Sequence, residues 1–305
     1  MRVLVTGGAG FIGSNVIRAL IDEGYRAYCL DDFSHADFRN IYELPCDVIT
    51  ADIRDGSVFK KLPRLDAVIH EAAVTDTTID DDNKMMTVNL GGFKNVLEYC
   101  FKKKIPLVYA SSAGVYGDGP SPMKEAQTPH PLNIYSYSKL MCDRLAGAYF
   151  SRRGTPLVVG LRYFNVYGPG EYHKGVSASM IYHLYNQMKS NKNPRVFKFG
   201  EQKRDFIYVK DVAQATVSAL RMKKSTIMNV GTSFARSFND IIKAINDVLG
   251  KNLSPEYFDN PYSLVYQNHT EADIARIKNA LGFKPRYSLE EGIGDYIRNY
   301  LDKSL

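Results

Sequence analysis

Tyr135-Ser136-Tyr137-Ser138-Lys139 sets a phenol and an amine four residues apart. On a helix such residues share one face. A lysine cation beside a phenol, close to a positively charged nicotinamide, helps the tyrosine shed its proton. The tyrosine can then exchange a proton with a substrate hydroxyl while a hydride passes to the nicotinamide. The spacing alone is weak: the chain has 21 tyrosines, and Tyr99/Lys103 and Tyr185/Lys189 repeat it, where ordinary helix surface is expected. The setting singles out Tyr135. Upstream, residues 107–117 read as a strand running into a glycine-containing loop that carries Ser112. Strand carboxyl ends in a parallel sheet face the ligand crevice. Ser112 is therefore expected there as a hydrogen-bond donor to the reacting oxygen, with capping as its bland alternative.

A second constellation opens the chain. Val3-Leu4-Val5 runs into Gly7, Gly10 and Gly13, spaced GxxGxxG, with Phe11 and Ile12 between the last two; Gly8, Gly10 and Gly13 also fit GxGxxG. Early glycines allow a tight turn and close approach of backbone to a pyrophosphate, and the last lets helix pack on strand. The next strand ends in Asp31 and Asp32, with Asp31 18 residues past Gly13, where an acid accepts hydrogen bonds from the adenosine ribose. Asp52-Ile53 follows the third strand and His70-Glu71-Ala72-Ala73 ends the fourth; both are expected to flank the dinucleotide, with a plain strand terminus as the alternative, and Asn89 is counted with them. The acids favour NAD. NADP, the alternative, would need His35, Arg39 or Arg54 to offset repulsion of its extra phosphate.

These residues need a scaffold that brings strand ends together. Apolar runs at 2–6, 26–30, 47–51, 67–70, 107–111 and 157–162 alternate with helical patterns at 11–23, 82–103 and 135–153. Strands alternating with helices imply crossover units and a parallel sheet covered on both faces. The expected fold is α/β: a Rossmann-type doubly wound parallel sheet with a smaller α/β carboxy-terminal substrate lobe. Later helices are expected at 176–189, 212–222, 238–249, 271–280 and 289–300, with strands at 195–199, 205–209, 227–230 and 253–258. Residues 1–163 and 207–231 are assigned to the dinucleotide lobe, and 164–206 and 232–305 to the second lobe.

Composition narrows the classes. The 305 residues are 45% apolar and 24% charged, as in globular domains. A net charge of +6 suits an anionic small molecule. No basic stripe with interleaved aromatics points to nucleic acid, and the short basic runs read as solvated helix ends. No run approaches the ~18 apolar residues of a membrane span. No leader precedes the first strand, and the four cysteines form no CxxC pair, so a reduced, cytoplasmic setting is expected. Six histidines without a ligand spacing argue against a metal site.

Together, Thr6-Gly7-Gly8-Ala9-Gly10-Phe11-Ile12-Gly13, Ser111-Ser112-Ala113-Gly114-Val115-Tyr116-Gly117, Tyr135-x-x-x-Lys139 and Arg162-Tyr163-Phe164-Asn165-Val166-Tyr167-Gly168-Pro169 resemble the extended short-chain dehydrogenases/reductases that act on nucleotide sugars. The resemblance covers nearly the whole chain, including Arg204-Asp205-Phe206-Ile207-Tyr208-Val209. It implies a bound NAD(P), transient hydride abstraction and return, and a homo-oligomer. It also implies Asn165 near the substrate diphosphate and Arg204 as a clamp on it. Within the family, three segments are similar to the branch that epimerises ADP-linked heptoses: Asp76-Thr77-Thr78, Tyr172-His173-Lys174-Gly175 with Ser179 and His183, and Tyr266-Gln267 with Thr270, Ala272 and Asp273. The branch implies Lys174 as a second acid/base, with Thr77, His183 and Tyr266 beside the substrate; a phosphate-binding surface lysine is the alternative. Gly170 departs from the family's arginine. A UDP-hexose 4-epimerase is the nearest rival, and a silent dinucleotide sensor the rival from another class. A dehydratase is disfavoured, because Ala113 and Gly114 follow Ser112 where an Asp-Glu pair is usual.

Overall fold

The computed structural model describes residues 1–76, 81–150, 152, 154–259 and 269–303. Thr77 and Tyr266, both expected beside the substrate, lie outside them.

The first half builds the elements β1 (Arg2–Thr6), α1 (Phe11–Asp22), β2 (Arg26–Asp31), β3 (Asp47–Thr50), β4 (Ala67–His70), α2 (Asp82–Met86), α3 (Gly92–Lys103), β5 (Leu107–Ser112), α4 (Ile134–Phe150) and β6 (Val158–Tyr163). The second half adds β7 (Asn165–Tyr167), α5 (Met180–Lys189), β8 (Arg195–Phe197), β9 (Lys203–Tyr208), α6 (Val209–Ala219) and β10 (Thr226–Val230). It ends with β11 (Ala235–Ser237), α7 (Phe238–Leu249), β12 (Glu256–Phe258), α8 (Ala275–Leu281) and α9 (Leu289–Tyr296).

Seven strands pair in parallel in the order β10-β6-β5-β4-β1-β2-β3. The order reverses between β1 and β4, where neighbouring crossovers leave on opposite faces and open a crevice at the strand carboxyl ends. Val3, Leu4 and Val5 are fully buried, which explains the uninterrupted apolar run in β1. One face packs α1 and α6 over Val5, Ile17, Leu161 and Val217; the other buries Leu4, Val68, Phe93 and Tyr109 under α3 and α4.

The helical pattern expected over 82–103 is divided: a π-helical turn, Thr87–Gly91, joins α2 to α3. The turn brings Asn89 into the interior, where its amide accepts from Val74 N at 2.8 Å and donates to Val74 O at 3.0 Å and Ser138 Oγ at 3.0 Å.

The second lobe has its own core of Tyr167, Ile181, Leu184, Phe206, Ile241 and Ile293. Its sheets are β11-β9-β7 and β12-β8. β9 stays in the small sheet through Tyr208, and the chain re-enters the first lobe with α6. A second return comes from the segment assigned to the second lobe: Ile277 of α8 and Phe283 bury in the first lobe's core. Asp205, fully buried, clasps these crossings. Its carboxylate accepts from Thr232 N at 2.7 Å, Ser233 N at 3.0 Å and Ala272 N at 2.9 Å.

Candidate active site

α1 starts without a side-chain cap at Gly10 and without an acidic residue in its first turn, so its first N–H groups face the crevice unanswered by its own side chains. A Cβ at Gly13 would collide with the Gly7 carbonyl, so the turn closes only on glycine. From β2, Asp31 accepts from Ala9 N and Phe33 N, both at 3.0 Å, which ties the end of β2 to the glycine turn. Burial raises the Asp31 pKa, against the pull of these two amides.

A cleft of about 660 Å³ begins at this turn. Its lining includes Gly7, Gly10, Phe11, Ile12 and Gly13, then Asp31, Asp32, Asp52 and Ile53, then Ala72 and Ala73. Ser112, Tyr135, Lys139 and Lys174 line it as well. The cofactor set expected from sequence thus converges, except Asn89, whose amide is taken up by Val74 and Ser138. Asn89 holds the loop after β4 against α4 and stands behind the cleft wall.

Lys139 Nζ donates to Ala110 O at 3.0 Å and lies 5.9 Å from the centre of the Tyr135 ring. Ser112 lines the cleft, and its Oγ caps the turn that follows by accepting from Gly114 N at 3.0 Å. Beneath them, Arg162 and Asp143 form a buried ion pair at 2.9 Å, and Arg162 also donates to Tyr116 Oη at 2.9 Å. Asp143 lies four residues beyond Lys139 on α4, so this pair pins α4 to β6.

Lys174 enters from the second lobe on a short helical turn, Tyr172–Ser177. Burial lowers its amine pKa, while Glu171 and Asp76 pull the other way. Glu171, buried, anchors the turn by accepting from Gly168 N at 3.0 Å and Ser179 N at 2.6 Å. Gly170, the departure from the expected arginine, has φ +94°. Its carbonyl accepts from Asn40 Nδ2 at 3.3 Å, and the same amide donates to Ala9 O at 3.0 Å. Asn15 Nδ2 donates to Pro169 O at 2.8 Å and Phe11 O at 2.9 Å. Asn15, Asn40 and Glu171 were not singled out from sequence, because only their long-range partners give them meaning.

Three expected substrate residues stand outside the cleft lining. His183 Nε2 lies 3.3 Å from Val176 O and braces the Lys174 turn. Asn165 donates to Thr270 Oγ1 at 3.0 Å and Asp205 O at 3.3 Å. Arg204 is buried in β9 and donates to the Lys203 carbonyl at 2.9 Å. No cluster that could hold a metal occurs among the described residues, nor any helix there long and apolar enough to cross a membrane.

Fold and cleft define a dinucleotide-dependent enzyme, with Tyr135 and Lys139 of α4 lining its cleft. The chain belongs to the NAD dependent epimerase/dehydratase family, whose model matches residues 3–231. Among solved structures it is similar to the Helicobacter pylori ADP-L-glycero-D-manno-heptose-6-epimerase, at 38% identity and TM-score 0.91, covering 98% of this chain and 95% of that one. It is also similar to the UDP-N-acetylglucosamine 4-epimerase from Methanobrevibacter ruminantium, at 28% identity and TM-score 0.91, covering 99% and 98%. The UDP-glucose 4-epimerase from Thermotoga maritima matches at 28% identity and TM-score 0.91, covering 100% and 99%. NAD is the family's cofactor, and the site fits it: the glycine turn and the uncapped start of α1 would take the pyrophosphate, and Asp31 the adenosine ribose. Arg54, a cation that feels the charge of Asp32, is already paired with Asp52 at 2.6 Å.

Proposed function

We propose that the protein epimerises the exocyclic carbon 6 of an ADP-linked glycero-manno-heptose. The observation that carries this reading is Lys174, a half-buried amine delivered to the cleft from the second lobe, while Tyr135 and Lys139 reach it from the first. Bound NAD supplies the place to which the substrate's hydride is lent and from which it returns. Tyr135 takes the proton of the substrate hydroxyl as it becomes a carbonyl, and Ser112 holds the same oxygen. Lys139 holds the tyrosine side of the cleft. When the carbonyl turns over, its oxygen changes side, and a second proton-handling group serves it there. Lys174 fills that role. The higher identity to the heptose epimerase than to the two UDP-sugar epimerases supports the choice.

The test incubates the purified protein, without added cofactor, with ADP-heptose, UDP-glucose and UDP-galactose, and follows stereochemistry by NMR. Inversion of ADP-heptose alone supports the reading. Interconversion of the UDP-hexoses with no action on ADP-heptose replaces it with a 4-epimerase.

A further inference from the structure

Glu71 follows β4 directly and lines the cleft beside the glycine turn. The open cleft leaves it partly uncovered, yet it lies deep among protein atoms. β1 and β4 are neighbours, with Thr6 opposite His70, and Glu71 N donates to Thr6 O at 3.0 Å. Gly7 packs so closely on this segment that a Cβ there would overlap the Glu71 carbonyl carbon and Ala72 N. None of the proton transfers described above uses this carboxyl.

Its hydrogen bonds count protons. Tyr163 Oη lies 2.8 Å from Glu71 Oε1 and 2.8 Å from Thr216 Oγ1, and Thr216 Oγ1 lies 2.7 Å from Val212 O. Three contacts in a row need three protons. The Val212 carbonyl brings none, and Tyr163 and Thr216 bring one each. The third comes from Glu71 as a neutral acid: Glu71 donates to Tyr163, Tyr163 to Thr216, and Thr216 to Val212 O. If Glu71 were ionised, Tyr163 would donate to it, and Thr216 would have to give up either Tyr163 or Val212. Burial points the same way, raising the Glu71 pKa to about 7 against the opposing influence of Tyr163 on β6 and Lys139 on α4. Asp31 on β2, Asp76 on the loop after β4, and Lys174 from the second lobe face the same cleft. A pyrophosphate held at the glycine turn adds negative charge next to this carboxyl and favours its neutral form further.

We propose that Glu71 is a proton-linked cofactor-positioning residue: NAD binds the form of the protein in which Glu71 is a neutral acid donating to Tyr163, and ionisation of Glu71 weakens that binding. The proposal concerns the cofactor alone and stands whichever sugar is the substrate.

The test is titration calorimetry of NAD into the full-length protein freed of bound nucleotide, from pH 6 to 8.5, in two buffers of different ionisation heat. The wild type is expected to take up as much as one proton per NAD above neutrality. Its Kd should rise about tenfold per pH unit once the pH exceeds the Glu71 value of about 7. Glu71→Gln keeps a donor to Tyr163, so its Kd should be flat with pH, close to the wild-type value at pH 6, with the Glu71-dependent proton uptake gone. A wild type that binds NAD without proton uptake and with constant Kd overturns the proposal, whether or not the variant folds. So does a Glu71→Gln protein that keeps the full wild-type pH dependence, which would assign the linkage to another group such as Asp31.

Discussion

Lys174 Nζ lies 5.7 Å from the centre of the Phe11 ring, so an amine of the second lobe rests on the first residue of the helix that leaves the glycine turn. A cation over an aromatic face is favourable, and the contact places the amine beside the cofactor end of the cleft. Lys174→Ala should lower kcat about 100-fold or more, the scale of a lost general acid/base. The NAD retained per chain should stay close to wild type, because the glycine turn and Asp31 are untouched. Steady-state kinetics with extraction of bound nucleotide checks both, and activity within a few fold of wild type would contradict the role.

Gly170 shows how the Lys174 segment is tied down. Its φ of +94° disfavours any residue with a Cβ, and its carbonyl is held by Asn40. Gly170→Arg, which restores the residue the family resemblance leads one to expect, should therefore destabilise this chain. The strain is roughly 1–3 kcal/mol, a loss of several degrees in Tm by differential scanning fluorimetry. An unchanged or higher Tm would show that the turn can relax.

The Arg162–Asp143 pair predicts a larger effect. Both side chains are almost fully enclosed, with N–O at 2.9 Å. Removing one partner leaves a buried charge uncompensated, at a cost of about 3–5 kcal/mol. Arg162→Met should show this in urea unfolding. A double variant, Arg162→Met with Asp143→Leu, should recover part of the loss.

Adjacent residues at the end of β4 give stability opposite dependences on pH. Burial depresses His70 to about 3, and its Nδ1 lies 2.7 Å from Thr6 Oγ1. The folded protein binds fewer protons there than the unfolded chain, so stability is lost as the pH falls below about 6.5. Glu71 is raised to about 7. The folded protein holds its proton where the unfolded chain has released it, so this contribution is lost as the pH rises from about 4.5 to about 7. Glu71→Gln should therefore raise Tm relative to wild type more at pH 8 than at pH 5. Equal shifts at both pH values would contradict the assignment.

Much of this molecule is readable in its sequence because local pattern and tertiary role agree. Val3-Leu4-Val5 is apolar throughout since β1 is covered on both faces, and the glycine spacing marks a turn that side chains would block. The run 238–249 emerges as α7 at those bounds, with Ser237 and Asp240 forming its capping box. Failures occur where distant partners decide. The three-residue strands β7 and β11 carry too little pattern to be read, and they exist through pairing with β9. Asn89 sits on a helical pattern, but a π turn hands its side chain to Val74 and Ser138. Asn40 acquires its place only when Ala9 and Gly170 come together, a proximity spanning 130 residues at Gly170.

In the proposed reaction Tyr135 handles the proton while the substrate's own hydride leaves and returns. ADP-heptose carrying deuterium at carbon 6, incubated in ordinary water with the protein and no added cofactor, tests it most directly. Inversion at carbon 6 with the deuterium retained there is expected, with loss of inversion by about 100-fold or more in Tyr135→Phe. Inversion with the deuterium replaced by solvent hydrogen, or an undiminished rate in Tyr135→Phe, would contradict it.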